Sequence, residues 1–157
     1  MVTRYSRILF LSFFAIIGSL TSISQSDNPK YDKAMADSLG GDDYGMKKYV
    51  LVILKTGSRI ETNKSIVDSL FRGHMQNINR LAGSGKLVIA GPLVKNEKNY
   101  RGIFILNVAS FEEAQKLLEM DPAIHEKLLD VEMFQWYGSA AISEYLKAHE
   151  RIEKKKF

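Results

Sequence analysis

The 157-residue chain contains no cysteine. That absence removes disulfides, thiolate nucleophiles, thiolate metal sites and thioether lipid anchors, and it leaves packing as the source of stability. Histidine is also scarce, with three in all. None stands in a His-x-His or His-Glu-x-x-His arrangement, so the spacing predicts no metal site; a metal would have to be gathered across the fold by His74, Asp121 and Glu132. A phosphate loop and a dinucleotide fingerprint are missing too, because Gly83 and Gly85 follow a helical pattern instead of a strand and lack the later glycine. The formal charge of +4 draws on Arg4 and Arg7 near the start and on Lys154, Lys155 and Lys156 at the end. With no basic stripe interleaved with aromatics, nucleic acid is not an expected partner.

The apolar run at residues 8–20 is too short for a spanning helix. Preceded by Arg4 and Arg7 and followed by the small residues Ser22 and Ser24, it reads as a secretory signal, with residues 1–24 removed by cleavage before Gln25. The other readings of the run are an uncleaved anchor and a buried core helix. Cleavage leaves about 130 residues, enough for one domain. The mature protein is then expected to be soluble, without stable membrane insertion, and periplasmic or secreted.

Residues 25–45 are polar, with five aspartates, one proline and the Gly40-Gly41 pair, and read as a tether or disordered leader. The domain is expected over residues 46–138. It opens with a strand at 49–54, apolar on both parities, and continues with an amphipathic helix at 65–82 carrying Val67, Leu70, Phe71, His74, Ile78 and Leu81 at helical spacing. A strand at 86–94 broken by Gly91-Pro92, a hairpin loop at 95–101 and a strand at 102–108 follow. Ser110, with Glu112 and Glu113, caps a second helix; Asp121-Pro122 starts a short third one; a last strand occupies 131–136. The order is βαββαβ, an α+β ferredoxin-like sandwich. The extension at 139–157 adds a helix at about 141–154.

A four-stranded antiparallel sheet with helices on one side needs a polar second face. Here both parities of residues 49–54 and 103–106 are apolar. The simplest cover is a second copy, giving a two-fold homodimer with a pocket between the sheets; the alternative is the C-terminal helix folded back.

His74 falls on the core-facing stripe of the long helix, where a buried imidazole needs hydrogen-bond partners and titrates near neutrality. On that pattern alone it is a satisfied core residue or a proton-transfer group. Asp121 precedes Pro122, so it reads as a helix N-cap; one carboxylate oxygen can cap while the other orients an imidazole. Gly91 and Pro92 shape a strand end and are candidate ligand contacts. Tyr100 and Arg101 on the hairpin read as a gate or a solvated loop, and Trp136 and Tyr137 as cavity lining or core. His125 and His149 stand among charged residues and read as surface.

The strand at 49–54, Gly73-His74, Arg80-Leu81-Ala82, Gly85-Lys86-Leu87, Ala90-Gly91-Pro92, Arg101-Gly102-Ile103, Met120-Asp121-Pro122-Ala123 and the strand through Trp136 together resemble the YciI-like (YCII-related) family over about residues 47–138. The resemblance implies a ferredoxin-like fold paired into a dimeric α/β barrel, with His74 and Asp121 as a His–Asp pair in a pocket. One branch is similar to an enzyme that eliminates hydrogen chloride from a chlorinated hydroxyquinol, which is proton-transfer chemistry that needs no cofactor. The expected function is therefore a cofactor-independent acid–base enzyme, of lyase-like elimination type or another, acting on a small organic or aromatic molecule. The alternative is a non-catalytic dimeric module binding a small ligand in the same pocket. The signal, leader and extension set this chain apart from the compact cytoplasmic members.

Protein isolated from its native cell envelope is expected to start close to Gln25 by N-terminal sequencing. Intact Met1 in the membrane fraction would contradict the signal reading.

Overall fold

The structure is a computed structural model that describes residues 28–155. The expected signal at residues 1–24 lies outside the described residues. Residues 28–31 stand apart from the unit that begins at Asp32 and make a turn in which the Tyr31 N–H donates to the Asn28 carbonyl at 3.0 Å.

From Asp32 onward the chain builds helices α1 (Lys33–Leu39), α2 (Lys64–Gly83), α3 (Phe111–Glu119), α4 (Pro122–His125) and α5 (Tyr145–Ile152). The strands are β1 (Met46–Thr56), β2 (Leu87–Pro92), β3 (Tyr100–Leu106) and β4 (Leu129–Ser139). They make one antiparallel sheet in the order β2-β3-β1-β4. This is the α+β ferredoxin-like order that the sequence pattern predicts.

Alternation along the strands divides the apolar residues between two faces. Val50, Val52 and Leu54 of β1 and Phe104 and Leu106 of β3 bury against Leu81 of α2, Ala114 and Leu118 of α3, and Ala123 and Ile124 of α4. Each large side chain buried there stabilises the fold by about 1.5–3 kcal/mol. On the opposite face Tyr49, Val88 and Ile105 form a smaller cluster. Part of its cover is internal: Ile142, on a 3-10 helix at Ala140–Glu144, packs against it. Tyr49 lies beneath, and its hydroxyl donates to the Ser139 carbonyl at 3.0 Å. Leu51, Ile89 and Trp136 remain only partly buried, and Phe134 is 49% exposed.

The structure corrects three local readings. Within the polar stretch read as a disordered leader, residues 33–39 are helical, with Asp32 accepting from the Met35 N–H and Gly40 in the left-handed conformation that ends the helix. Two further groups hold the stretch: Lys47 Nζ donates to the Leu39 carbonyl at 2.9 Å, and the Tyr137 hydroxyl donates to the Asp42 carboxylate. The C-terminal helix expected at 141–154 is two pieces, the 3-10 helix and α5. Ala140 is pinned through its N–H to the Gly45 carbonyl, and Ser139 Oγ accepts from the Ala141 N–H, so the first turn follows the sheet edge before the α-helix begins. β2 ends at Pro92, and β3 starts at Tyr100, two residues earlier than read. Asn96 makes the loop between them compact, accepting from the Tyr100 N–H and donating to the Tyr100 carbonyl.

The Asp42 latch is sensitive to pH. The Tyr137 hydroxyl, then the Met46 N–H, hold its carboxyl below the ordinary value of 3.8. A depressed folded-state value stabilises the latch above the unfolded value, and that contribution is lost as pH falls through the depressed one. The Tyr137 ring signals in NMR spectra should hold steady from neutral pH down to the ordinary aspartate range and move below it. In Asp42→Ala they should sit at the released position at every pH.

Candidate functional site

Helix α2 is capped by Asn63, whose side chain accepts from the Ser65 N–H, and ends at Gly83; two residues on, Gly85, with φ of +68°, turns the chain toward β2. Its buried stripe is His74, Asn77 and Leu81, so two polar side chains point into an apolar layer. The His74 ring stacks on Phe104 with centroids 5.9 Å apart and meets the edge-on Phe71 ring at 6.1 Å. Asp121 is the N-cap of α4 and is fully buried.

The two carboxylate oxygens of Asp121 have separate tasks. Oδ1 accepts from the backbone N–H groups of Ala123 and Ile124 at 3.0 and 3.4 Å, the donors that a helix start leaves unpaired. Oδ2 accepts from His74 Nδ1 at 2.7 Å and from Asn77 Nδ2 at 3.3 Å. A carboxylate can only accept, so the Nδ1 position of His74 carries the hydrogen. No partner bonds Nε2 among the described residues, and no buried side-chain nitrogen or oxygen there lacks one. Nε2 therefore keeps access to solvent, although His74 is only 7% exposed. An imidazole oriented at Nδ1 by a carboxylate and open at Nε2 can accept or deliver a proton.

A residue without a side chain makes this approach possible. A Cβ on Gly73 would stand 2.7 Å from Pro122 Cγ, so glycine at that point of α2 lets α4 come close enough for Asp121 to reach His74.

The family model for the YCII-related domain matches residues 48–137. The chain belongs to the YCII-related family. The YCII-related region includes His74 and Asp121 and leaves out α1 and α5. Among solved structures, the chain is similar to the 5-chloro-2-hydroxyhydroquinone dehydrochlorinase TftG of Burkholderia phenoliruptrix AC1100 in complex with 2,5-dihydroxybenzoquinone. The identity is 15%, the match covers 55% of this chain and 92% of that one, and the TM-score is 0.42. No curated protein matches the sequence.

Of the candidates read from sequence, the structure brings together His74 and Asp121. Trp136 lies across the sheet from them, its ring 5.6 Å from that of Tyr49. Gly91 and Pro92 close β2 opposite Ile103 and Gly102, where a Cβ on Gly102 would meet the Gly91 carbonyl at 2.8 Å; the pair shapes the strand end. Arg101 is exposed at the irregular start of β3. Tyr100 donates to Glu132 at 3.4 Å, and Glu132 pairs with Lys55 at 2.9 Å on the face away from His74. Hence His74, Asp121 and Glu132 do not converge, and among the described residues no acidic or histidine cluster could hold a metal ion. A concavity of about 390 Å³ is lined by Leu118, Ile124, His125 and Asp130, and by neither member of the pair.

Sequence reasoning missed Asn77. Its signal was present: a polar residue one turn after His74, on a stripe otherwise apolar as far as Leu81.

Gly73→Ala tests the close approach. Alanine in a helix interior gains about 1 kcal/mol over glycine, while overpacking against Pro122 costs roughly 1–3 kcal/mol. Denaturant unfolding should show a net loss of about 1 kcal/mol. The strain is relieved by α4 moving off α2, so the His74 Nδ1–H signal should weaken with it.

Proposed function

We propose that this protein is an exported YCII-related homodimer that uses His74 as a general acid or base, oriented by Asp121, to move a proton on a small organic molecule. The observation that supports this most is the division of labour at the site: Nδ1 is tied to a fully buried carboxylate, while Nε2 is left unbonded with access to solvent. Phe104 and Phe71 pack the imidazole between apolar surfaces and so hold the ring in place. Imidazole alone supplies the acid or base, so the reading calls for neither a metal nor an organic cofactor. The dimer reading rests on the partly covered outer face, where Phe134, Trp136 and Leu51 would meet a second copy. The export reading rests on the basic flank and short apolar run at the N-terminus.

Hydroxylated and halogenated aromatics are the first compounds to screen for turnover or binding. His74→Gln and Asp121→Asn keep size and hydrogen bonding while removing the titrating function. Both should stay folded and sediment as dimers, with turnover down by roughly 100-fold or more. The double variant should be little worse than either single one, because residues acting as a unit are strongly non-additive. Turnover that survives both substitutions would sink the mechanism, and a strictly monomeric species at micromolar concentration would sink the dimer.

A further inference from the structure

The helix that carries His74 presents two more polar residues at three-residue intervals, Asn77 and Arg80. Three residues of α-helix fall short of a full turn by about 60°, so a row at that spacing winds around the helix. Here it winds from the core to the surface: His74 is 7% and Asn77 5% exposed, while Arg80 faces solvent. The three side chains are linked through Asp121. Arg80 Nη2 donates to Asn77 Oδ1 at 2.7 Å, Asn77 Nδ2 donates to Asp121 Oδ2 at 3.3 Å, and the same oxygen accepts from His74 Nδ1 at 2.7 Å. Arg80 also reaches Met120 Sδ at 3.6 Å, beside Asp121 in the chain.

The direction of every bond in this row is dictated by chemistry. A guanidinium has donors and no acceptor, so the Asn77 oxygen must face Arg80 and its NH2 group must face Asp121. A free asparagine amide could present either end. Arg80 removes that choice, and the carboxylate meets a donor on each side of Oδ2. We infer that Asn77, oriented by Arg80, is a positioning residue that holds Asp121 in register with His74. The inference rests on the acid–base reading of that pair. With the backbone donors at Oδ1 and Asn77 at Oδ2, the carboxylate cannot swing away from the imidazole without losing a bond at either end. Asn77 bonds to Asp121 and to Arg80 and not to the imidazole; it acts through Asp121.

The test reads the pair directly and needs no substrate. In the full chain labelled with ¹⁵N, the His74 Nδ1–H should give a downfield NMR resonance in slow exchange with water. Asn77→Leu keeps the volume and removes the amide, so Nδ1–H exchange should quicken about ten-fold, the scale of one lost bond to a charged acceptor. Arg80→Ala, at an exposed position, should move exchange the same way by a smaller factor, and Arg80→Lys, which keeps a donor, should restore it toward wild type. A structural role alone would change the unfolding midpoint and leave the Nδ1–H rate where it was. If Asn77→Leu does not fold, Arg80→Ala decides. Rates within about two-fold of wild type in the folded variants overturn the positioning role while leaving the pair intact. A wild-type protein with no slowly exchanging Nδ1–H overturns the pair and this inference together.

Discussion

Four donors converge on the Asp121 carboxylate, which has no exposure to solvent. A carboxylate removed from water is strongly destabilising unless its oxygens are bonded, and losing one partner would leave the others around an under-satisfied charge. The donors come from both sides of one seam, two from the first turn of α4 and two from side chains of α2. The seam is therefore closed by a polar bond set at its centre, with the apolar contacts of Leu81, Ala123 and Ile124 around it. Gly73 belongs to the same constraint, because only a missing Cβ allows Pro122 to sit where the bonds require.

The sheet meets its own constraint differently. Two apolar faces cannot both be left to water, and the helices α2, α3 and α4 cover one. On the other, the chain leaving β4 turns back as a 3-10 helix and sets Ala140 and Ile142 near Tyr49. The segment before β1 joins the same end, through Lys47 to the Leu39 carbonyl and through Asp42 to Tyr137. The polar residues at 32–45 are thus tied to that end of the sheet. What stays partly open is the strip around Leu51 and Phe134.

The strand and helix order was legible because it is carried by local patterns: the short run at 49–54 apolar on both parities, the 3.6 period at 65–82, and the caps Ser110 and Asp121. The His74–Asp121 contact was legible only in part. The apolar stripe placed His74 inside, and Pro122 marked Asp121 as a cap, but their meeting across 47 residues depends on Gly73 and Pro122 packing closely, which no local pattern encodes. α1 was not legible because its seven residues bury nothing; it is held by a cap at each end and by Lys47, contacts that composition cannot reveal. Trp136 was grouped with the pair as a candidate because aromatic residues serve core and cavity alike. Its parity in β4, opposite Tyr49, puts it across the sheet.

Stability alone does not account for the polar row on α2. Replacing a buried polar or ionic set by well-packed apolar residues is often neutral or stabilising, because desolvation offsets much of the attraction between the groups. A seam between α2 and α4 could be closed by leucines at 74 and 77 with a serine cap at 121. The chain instead places an imidazole, an amide and a carboxylate there, and each of their side-chain nitrogen and oxygen atoms has a protein partner except His74 Nε2. Nε2 reaches solvent instead of a protein partner. In the proposed acid–base role, Nε2, with the ring oriented from Nδ1 by a row of fixed donors, is the atom that would exchange the proton.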